Sequence, residues 1–387
     1  MQHKSSGYEK RLYKEKLAEP ESALFGTYGD KGFKKHGHPA CKAIGPLFEH
    51  IQTETILYAR PAEPYATALY YLAETAPNGV ICPEDSETRM FLHDLPVVQD
   101  LDVEFLAPAL ENRKCTIVRH HGIIARGRDE AEAYVNFSAA CFSGIVKFFS
   151  DTLQASRTGE LEKPSSDAFF KACKHLPQLE VSGGRLMAGP FETQNIVQSA
   201  ITEAGRQIVA RGMVNACFGN ISYKTGDSLY ITSSGSFLDE LEHDIVRLSM
   251  KDGSCTVGKP SSELPAHLEI AASTDFRAIL HGHPLFSVIM SMDCTEKNCT
   301  HKGKCHLDCP VPRQIGNIPI VPGETGGGRF GLNRTVPAAV KKAGAAIVYG
   351  HGVFTCAVND FNNAMGRMIA AEGLCRRIYF ERIGNRL

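Results

Sequence analysis

Between Ile196 and Val209, the apolar residues Ile196, Val197, Ala200, Ile201, Ala204, Ile208 and Val209 recur at three- and four-residue spacing. That is the stripe of an amphipathic helix, and Gly212 can end it. Leu229-Tyr230-Ile231-Thr232 then predicts a strand and Ala266 to Ser273 a helix, and the apolar strand Ala278-Ile279-Leu280 runs into His281-Gly282-His283. Further on, the strand Ala346-Ile347-Val348-Tyr349 leads into His351-Gly352, and a last helix covers roughly Phe361 to Tyr379. Strands and helices mix without strict βαβ alternation, and no Gly-x-Gly-x-x-Gly follows a strand as a dinucleotide site demands. The predicted class is α/β, built in layers.

Two stretches break the pattern. Residues 1–36 are charged and Gly-containing with no sustained period, and read as an N-terminal arm. Residues 156–190, with Gly159, Pro164, Pro177, Gly183, Gly184 and Pro190, read as a linker. Self-comparison links the two halves. Gly258 to Glu263, leading on to Ile279-Leu280-His281-Gly282-His283-Pro284, can be laid against Gly37 to Lys42, leading on to Ile56-Leu57-Tyr58-Ala59-Arg60-Pro61. Ile347-Val348-Tyr349-Gly350-His351-Gly352-Val353 matches Ile117-Val118-Arg119-His120-His121-Gly122-Ile123. The chain therefore reads as a tandem duplication, with a truncated, degenerate copy at residues 37–155 and a full one at residues 191–387. On this alignment Lys42 stands for Glu263, Tyr58 and Arg60 stand for His281 and His283, and His121 alone is retained. The first copy is expected to lack the metal set and to serve as scaffold.

Composition narrows the function classes. A chain of 387 residues suits two domains. A formal net charge of -1 lacks the basic excess that phosphate-backbone binding needs, so nucleic acid is a poor partner. The charged N-terminus has no apolar signal-peptide core, and no run reaches the ~18–20 apolar residues of a membrane span. Thirteen scattered cysteines suit a reducing cytoplasm better than a disulfide framework.

The chemistry concentrates around the His-x-His pair. Residues i and i+2 of an extended segment project to one side, so His281 and His283 can offer two imidazoles to one ion. His351, at the end of another strand, can be the third ligand of a site with an open position. The ion would act as a Lewis acid on a substrate oxygen and stabilise an enediolate; the alternative for a His-x-His pair alone is incidental. Glu263 follows Ser261-Ser262 at a predicted helix start, where backbone N–H groups can meet an anion or the side chains can simply cap the helix. Gly219-Asn220-Ile221-Ser222 and Thr232-Ser233-Ser234-Gly235 are further small-residue turns suited to anions.

In order and approximate spacing, Cys217-Phe218-Gly219-Asn220-Ile221-Ser222, Ile231-Thr232-Ser233-Ser234-Gly235, Ser261-Ser262-Glu263, His281-Gly282-His283 and Gly350-His351-Gly352 resemble the class II aldolase/adducin family. The region from roughly Phe191 to Leu387 is similar to an L-fuculose-phosphate aldolase-type domain. The resemblance implies a layered α/β/α fold. It also implies Zn2+ or another divalent metal on His281, His283 and His351, with Glu263 as acid/base. Asn220, Ser234, Gly235, Ser261 and Ser262 would hold a substrate phosphate. Cys217 departs from the hydroxyl residue common at the first turn, and the N-terminal copy lacks recognisable counterparts of the first two turns. The implied activity is a zinc-dependent lyase acting on a phosphorylated ketose or sugar acid, within a homo-oligomer. Decarboxylase, epimerase and dehydratase chemistry on the same site are alternatives, as is a non-catalytic adducin-like scaffold.

An insertion after the histidine pair carries Cys294, Cys299, His301, Cys305, His306 and Cys309. Such soft ligands suit a second Zn2+ or an iron-sulfur cluster, although the spacing matches no standard run; free thiols are the alternative. Cys141, Cys173, Cys356 and Cys375 read as small core residues.

Overall fold

A computed structural model of the chain describes residues 7–29, 38, 40–180, 184–296 and 298–384. Parts of the expected arm (residues 1–6 and 30–36) and of the expected linker (residues 181–183) lie outside the described residues, as do Gly37 and Pro39 of the repeat match. The chain divides into two compact units, Met1–Pro177 and Gln178–Leu387.

The first unit runs α1 (Gly7–Lys14), β1 (Leu24–Thr27), α2 (Cys41–His50), β2 (Thr55–Ala59), α3 (Tyr65–Thr75), β3 (Val80–Ile81) and α4 (Ser86–Leu92). It continues with β4 (Leu95–Val98), α5 (Val103–Leu110), β5 (Cys115–Val118), β6 (Gly122–Gly127), α6 (Glu130–Thr158) and α7 (Lys163–Lys174). The second runs α8 (Gln194–Ala210), β7 (Asn220–Thr225), β8 (Ser228–Thr232), β9 (Ile245–Ser249), α9 (Leu264–Ser273), β10 (Ala278–Gly282) and α10 (Leu285–Met292). After these come β11 (Arg313–Ile315), β12 (Ile318–Val321), α11 (Leu332–Ala343), β13 (Ala345–Val348), β14 (Gly352–Ala357) and α12 (Phe361–Gly384).

The two sheets share one topology. The first has the order β1-β2-β6-β5-β4-β3 and the second β7-β10-β14-β13-β12-β11, extended past β7 by β8 and β9. Each has a single parallel pair at the same place, β4 with β5 and β12 with β13, among antiparallel neighbours. The duplication is therefore architectural, and the first copy is truncated by two edge strands.

Each unit is layered α/β/α. In the second, Ala278 and Leu280 of β10 join a core with Val197, Ile201 and Ile208 of α8 and Met365 and Met368 of α12. Alternate residues face the other way. Ile279 packs with Ala266 and Ile270 of α9 and Val336 and Val340 of α11. The periodic stripe forms α8 as expected, with Gly212 at φ +65° beyond its end, but Ile196 lies off the buried arc at 43% exposure. In the first unit, Ile44 and Leu47 of α2 and Leu106 and Leu110 of α5 cover the same sheet face, with Ile56, Tyr58 and Ile124.

Two boundary expectations change. The opening segment is not an irregular arm throughout: its residues 7–14 form α1, and β1 pairs with β2 from Leu24↔Tyr58 to Thr27↔Thr55. Leu24 and Phe25 are buried by that pairing, and a strand of only four residues leaves too short a period to read. The expected linker contains the end of α6 and all of α7. Pro164 stands in the first turn of α7, where a missing N–H costs nothing, so it starts a helix. Phe169 of α7 meets Phe149 of α6 at 5.7 Å between ring centroids, and Lys171 pairs with Glu63 at 2.9 Å. Downstream, Leu186 and Phe191 already belong to the second unit's core.

Candidate metal and acid/base site

Strand β10 lies between β7 and β14, in the register His281↔Asn220 and His281↔Phe354. Two residues beyond Ile279, His281 emerges on the α9 side, where the Phe354 ring stacks on it at 4.2 Å. His283 follows just past the strand end, stacked against Phe218 at 6.0 Å. The turn between β13 and β14 supplies His351. A Cβ at Gly352 would come within 2.3 Å of the Gly282 carbonyl and 3.0 Å of both the His281 and His283 rings, so only glycine lets β14 pass this close. Gly219, at φ +115°, has the same need, because a Cβ there would meet the His281 carbonyl at 2.9 Å.

These elements bring the three imidazoles together, all buried, with one ring nitrogen from each within 4.8 Å of the others. His281 and His283 Nε2 lie 2.9 Å apart. His281 Nδ1 donates to the Val353 carbonyl at 3.2 Å, which leaves Nε2 free to act as a ligand. Burial pulls the His281 imidazole down to about 4 against the attraction of Glu263, and pulls His283 well below its ordinary value. Both are therefore neutral near pH 7, the form that ligates metal. Three buried imidazoles converging at the end of a strand, with His281 and His283 held neutral, fit a divalent cation.

Glu263 precedes α9 but does not cap it: no first-turn N–H reaches its side chain. The carboxylate instead accepts from Asn220 Nδ2 at 2.8 Å, and lies 2.8 Å from His351 Nε2 and 3.3 Å from His281 Nε2. Burial opposes its ionisation, but the two imidazoles and the Asn220 amide outweigh this and hold its pKa below the usual carboxylate range. A buried carboxylate at the edge of a three-histidine cluster can take or give a proton beside a bound ion.

The expected phosphate residues divide. Ser234 N donates to the Lys259 carbonyl at 2.8 Å and Ser261 N to the Thr232 carbonyl at 3.1 Å, so these two turns are joined side by side. Ser234, Gly235 and Ser262 are exposed there and Ser261 is buried. The Asn220 side chain also has partners within the protein: its amide nitrogen donates to Glu263 and its oxygen accepts from His267 Nε2 at 2.5 Å. The second hydrogen of Asn220 Nδ2 is left for a further acceptor.

Among the described residues, the histidine triad is the only group of three or more His, Cys, Asp or Glu side chains whose ligand atoms approach closely enough to share an ion, and the cysteines of the insertion form no such cluster. None of Cys294, Cys299, Cys305 and Cys309 is in a disulfide. Cys305 Sγ donates to the His301 carbonyl and Cys309 Sγ to that of Val311, so local loop contacts take these donors in place of a common centre. Of the cysteines read as core, Cys141, Cys356 and Cys375 are buried and Cys173 is half-buried.

Sequence reasoning missed His267 and Ser222, which stand behind Asn220, with Ser222 Oγ 2.7 Å from His267 Nδ1. The available signal was the spacing of His267, four residues after Glu263 on the same helix face.

In the first unit, strand register places Tyr58 where β10 has His281 and Arg60 where it has His283, as Ala59↔Ile123 parallels Gly282↔Val353. The Lys42 assignment shifts. Helices α2 and α9 each have ten residues and end eight before Tyr58 and His281 respectively, so Ala40 takes the place of Glu263. The Tyr58 ring lies where a Cβ at Gly122 would meet it at 3.2 Å, and its hydroxyl donates to the His121 carbonyl at 2.9 Å.

Residues 199–379 match the Class II Aldolase and Adducin N-terminal domain. The L-fuculose phosphate aldolase of Methanocaldococcus jannaschii is 39% identical over 87 residues, covering 22% of this chain and 48% of that protein. The 5-methylthioribulose-1-phosphate/5-deoxyribulose-1-phosphate aldolase of Rhodospirillum rubrum is 33% identical over 97 residues, 24% of this chain and 44% of that one. The methylthioribulose-1-phosphate dehydratase of Gluconacetobacter diazotrophicus is 38% identical over 96 residues, 24% of this chain and 47% of that one. The chain thus spans about half the length of the curated relatives it matches. A crystal structure of L-fuculose-1-phosphate aldolase from Thermus thermophilus aligns with a TM-score of 0.40 at 22% identity, over 50% of this chain and 97% of that one. The segment that matches the class II aldolase and adducin N-terminal domain lies within the second unit and carries the histidine triad and Glu263 inside it.

Proposed function

We propose that the second unit is a zinc-dependent lyase that cleaves or forms a carbon–carbon bond in a phosphorylated ketose or sugar acid. The observation that carries this is the Glu263 carboxylate 2.8 Å from His351 within a buried three-histidine cluster. His281, His283 and His351 would hold the ion, which when bound supplies Lewis acidity toward a substrate oxygen. Glu263 moves the proton: its carboxylate takes it from a substrate hydroxyl or carbon and returns it as the bond breaks or forms. Hydroxyls of Ser234, Ser261 and Ser262, the backbone at Gly235 and the second Nδ2 hydrogen of Asn220 receive the substrate phosphate. The names of the relatives, all sugar-phosphate enzymes, support the substrate class. Loss of water from the same kind of substrate is the second reading, favoured by the relatives named as dehydratases.

The first unit serves as scaffold in this reading, and the enzyme works as a cytoplasmic homo-oligomer. Among the described residues no helix is long and apolar enough to cross a membrane. The test is to load the purified chain with zinc, incubate it with a panel of ketose 1-phosphates and sugar acids, and identify the products. Dihydroxyacetone phosphate with an aldehyde marks a lyase, and an intact carbon chain less one water marks a dehydratase. No turnover of any member by fully loaded protein would overturn the proposal.

A further inference from the structure

Behind Glu263 runs a line of buried polar side chains whose hydrogen bonds admit one direction. The carboxylate can only accept, so the group facing its Oε2 at 2.8 Å must be the Asn220 Nδ2 donor. That turns Asn220 Oδ1 toward His267, whose Nε2 at 2.5 Å must then carry the hydrogen. A neutral imidazole protonated at Nε2 has a bare Nδ1, which accepts the Ser222 hydroxyl hydrogen at 2.7 Å. The opposite tautomer would turn the Asn220 oxygen toward the Glu263 carboxylate. Ser222 and His267 are 0% exposed and Asn220 5%, so water cannot substitute for any member. The Phe354 ring closes one side, its centroid 5.7 Å from His267 while it also stacks on His281.

The duplicated unit shows that the fold does not need this line. Strand register puts Leu24 and Gly26 of β1 at the places of Asn220 and Ser222, and the α2 helix puts Ile44 at that of His267. There the sheet and helix are kept with apolar residues and glycine, and Tyr58 and Arg60 replace two of the three histidines.

We propose that His267 is a positioning residue: as its Nε2–H tautomer it fixes the Asn220 amide, which in turn holds the Glu263 carboxylate beside the three histidines. This rests on Glu263 as the proton-transfer group of the preceding section. Groups that orient an active side chain from behind typically change activity 10–100-fold.

One experiment reads the tautomer with no substrate. Long-range 1H–15N correlation spectra of the full chain labelled with 15N-histidine, with His267 assigned by the signal lost in His267→Gln, should show a neutral ring protonated at Nε2 at pH 7. A ring protonated at Nδ1 overturns the proposal whatever the reaction proves to be. Ser222→Ala, which removes only the hydroxyl donor to Nδ1, should leave the ring protonated at Nε2; a switch to the Nδ1–H form would show that Asn220 does not set the tautomer and counts against the proposal. A second experiment uses zinc-loaded protein and a phosphorylated ketose that the wild type turns over. His267→Asn, whose amide sits near the Nδ1 position, should lower kcat about 10–100-fold, with KM and zinc content within about two-fold of wild type. His267→Gln, whose amide reaches the Nε2 position, should recover most of that loss. Equal kcat in all three proteins, or equal impairment of the Asn and Gln variants, would sink the idea. If no ketose is turned over, the functional reading fails while the spectra still decide this one.

Discussion

The two units of this chain use one sheet topology for two different interiors. In the second, the central strand ends in His281-Gly282-His283, and the space before α9 is polar: Glu263, Asn220, His267 and Ser222 are all buried. In the first, the same places hold Tyr58, Arg60, Ala40, Leu24, Ile44 and Gly26. Arg60 turns to an exposed pair with Glu19 at 2.8 Å, and Tyr58 packs into the core as an aromatic with its hydroxyl on a backbone carbonyl. Burying charge and imidazole costs free energy that an aromatic ring avoids. The shared topology does not require the polar interior of the second unit, since the first unit has that topology without those residues.

The largest expected effect is on metal. His283→Ala should take zinc from about one ion per chain to near none and abolish activity, checked by elemental analysis of the full chain. About two ions per wild-type chain would show that the first unit also binds metal and break the comparison. Glu263→Gln should keep that ion and the fold but lower turnover by on the order of 10²–10⁴, measured as kcat.

A third effect separates the halves. Tyr58→Ala should destabilise the first unit by about 3–5 kcal/mol through the cavity it opens, with the zinc content of the chain unchanged. Denaturant unfolding followed alongside metal analysis checks this; coupled loss of zinc would tie the first unit to the site. The smallest effect is on pH dependence. Burial holds His267 down to about 3, so below its ordinary value near 6.5 the unfolded chain takes up a proton that the folded one refuses. Stability of the metal-free protein should be greatest above that ordinary value and fall as pH drops toward 3. His267→Gln should flatten the fall in melting temperature.

Much of the site was legible in the sequence, because its residues sit at strand ends and turns that local pattern marks. The apolar run Ala278 to Leu280 fixes where His281 and His283 emerge, and the Gly-flanked His351 follows a second such run. Less legible was anything that needs two distant segments in register. The offset of two residues between Lys42 and Ala40 is settled by the lengths of α2 and α9 and their distances to the following strands. Asn220 stands in a Gly-Asn turn that local pattern marks, but only the packing of α9 over β7 brings its side chain to Glu263 and His267. Pro164 read as a breaker begins α7, because the same residue starts or stops a helix depending on its place in the first turn.

The sequence by itself determined the α/β class, the duplication, the three histidines and the carboxylate, because residue chemistry and local period are written along one chain. The tertiary structure decided which of those groups meet. It turned Glu263 away from its own helix toward the histidines and set His267 behind Asn220. It also set Cys305 and Cys309 of the insertion against local carbonyls and filled the first unit's equivalent site with Tyr58. The physical reason is that side-chain partners separated by forty to ninety positions are chosen by strand register and helix packing, which no local pattern contains.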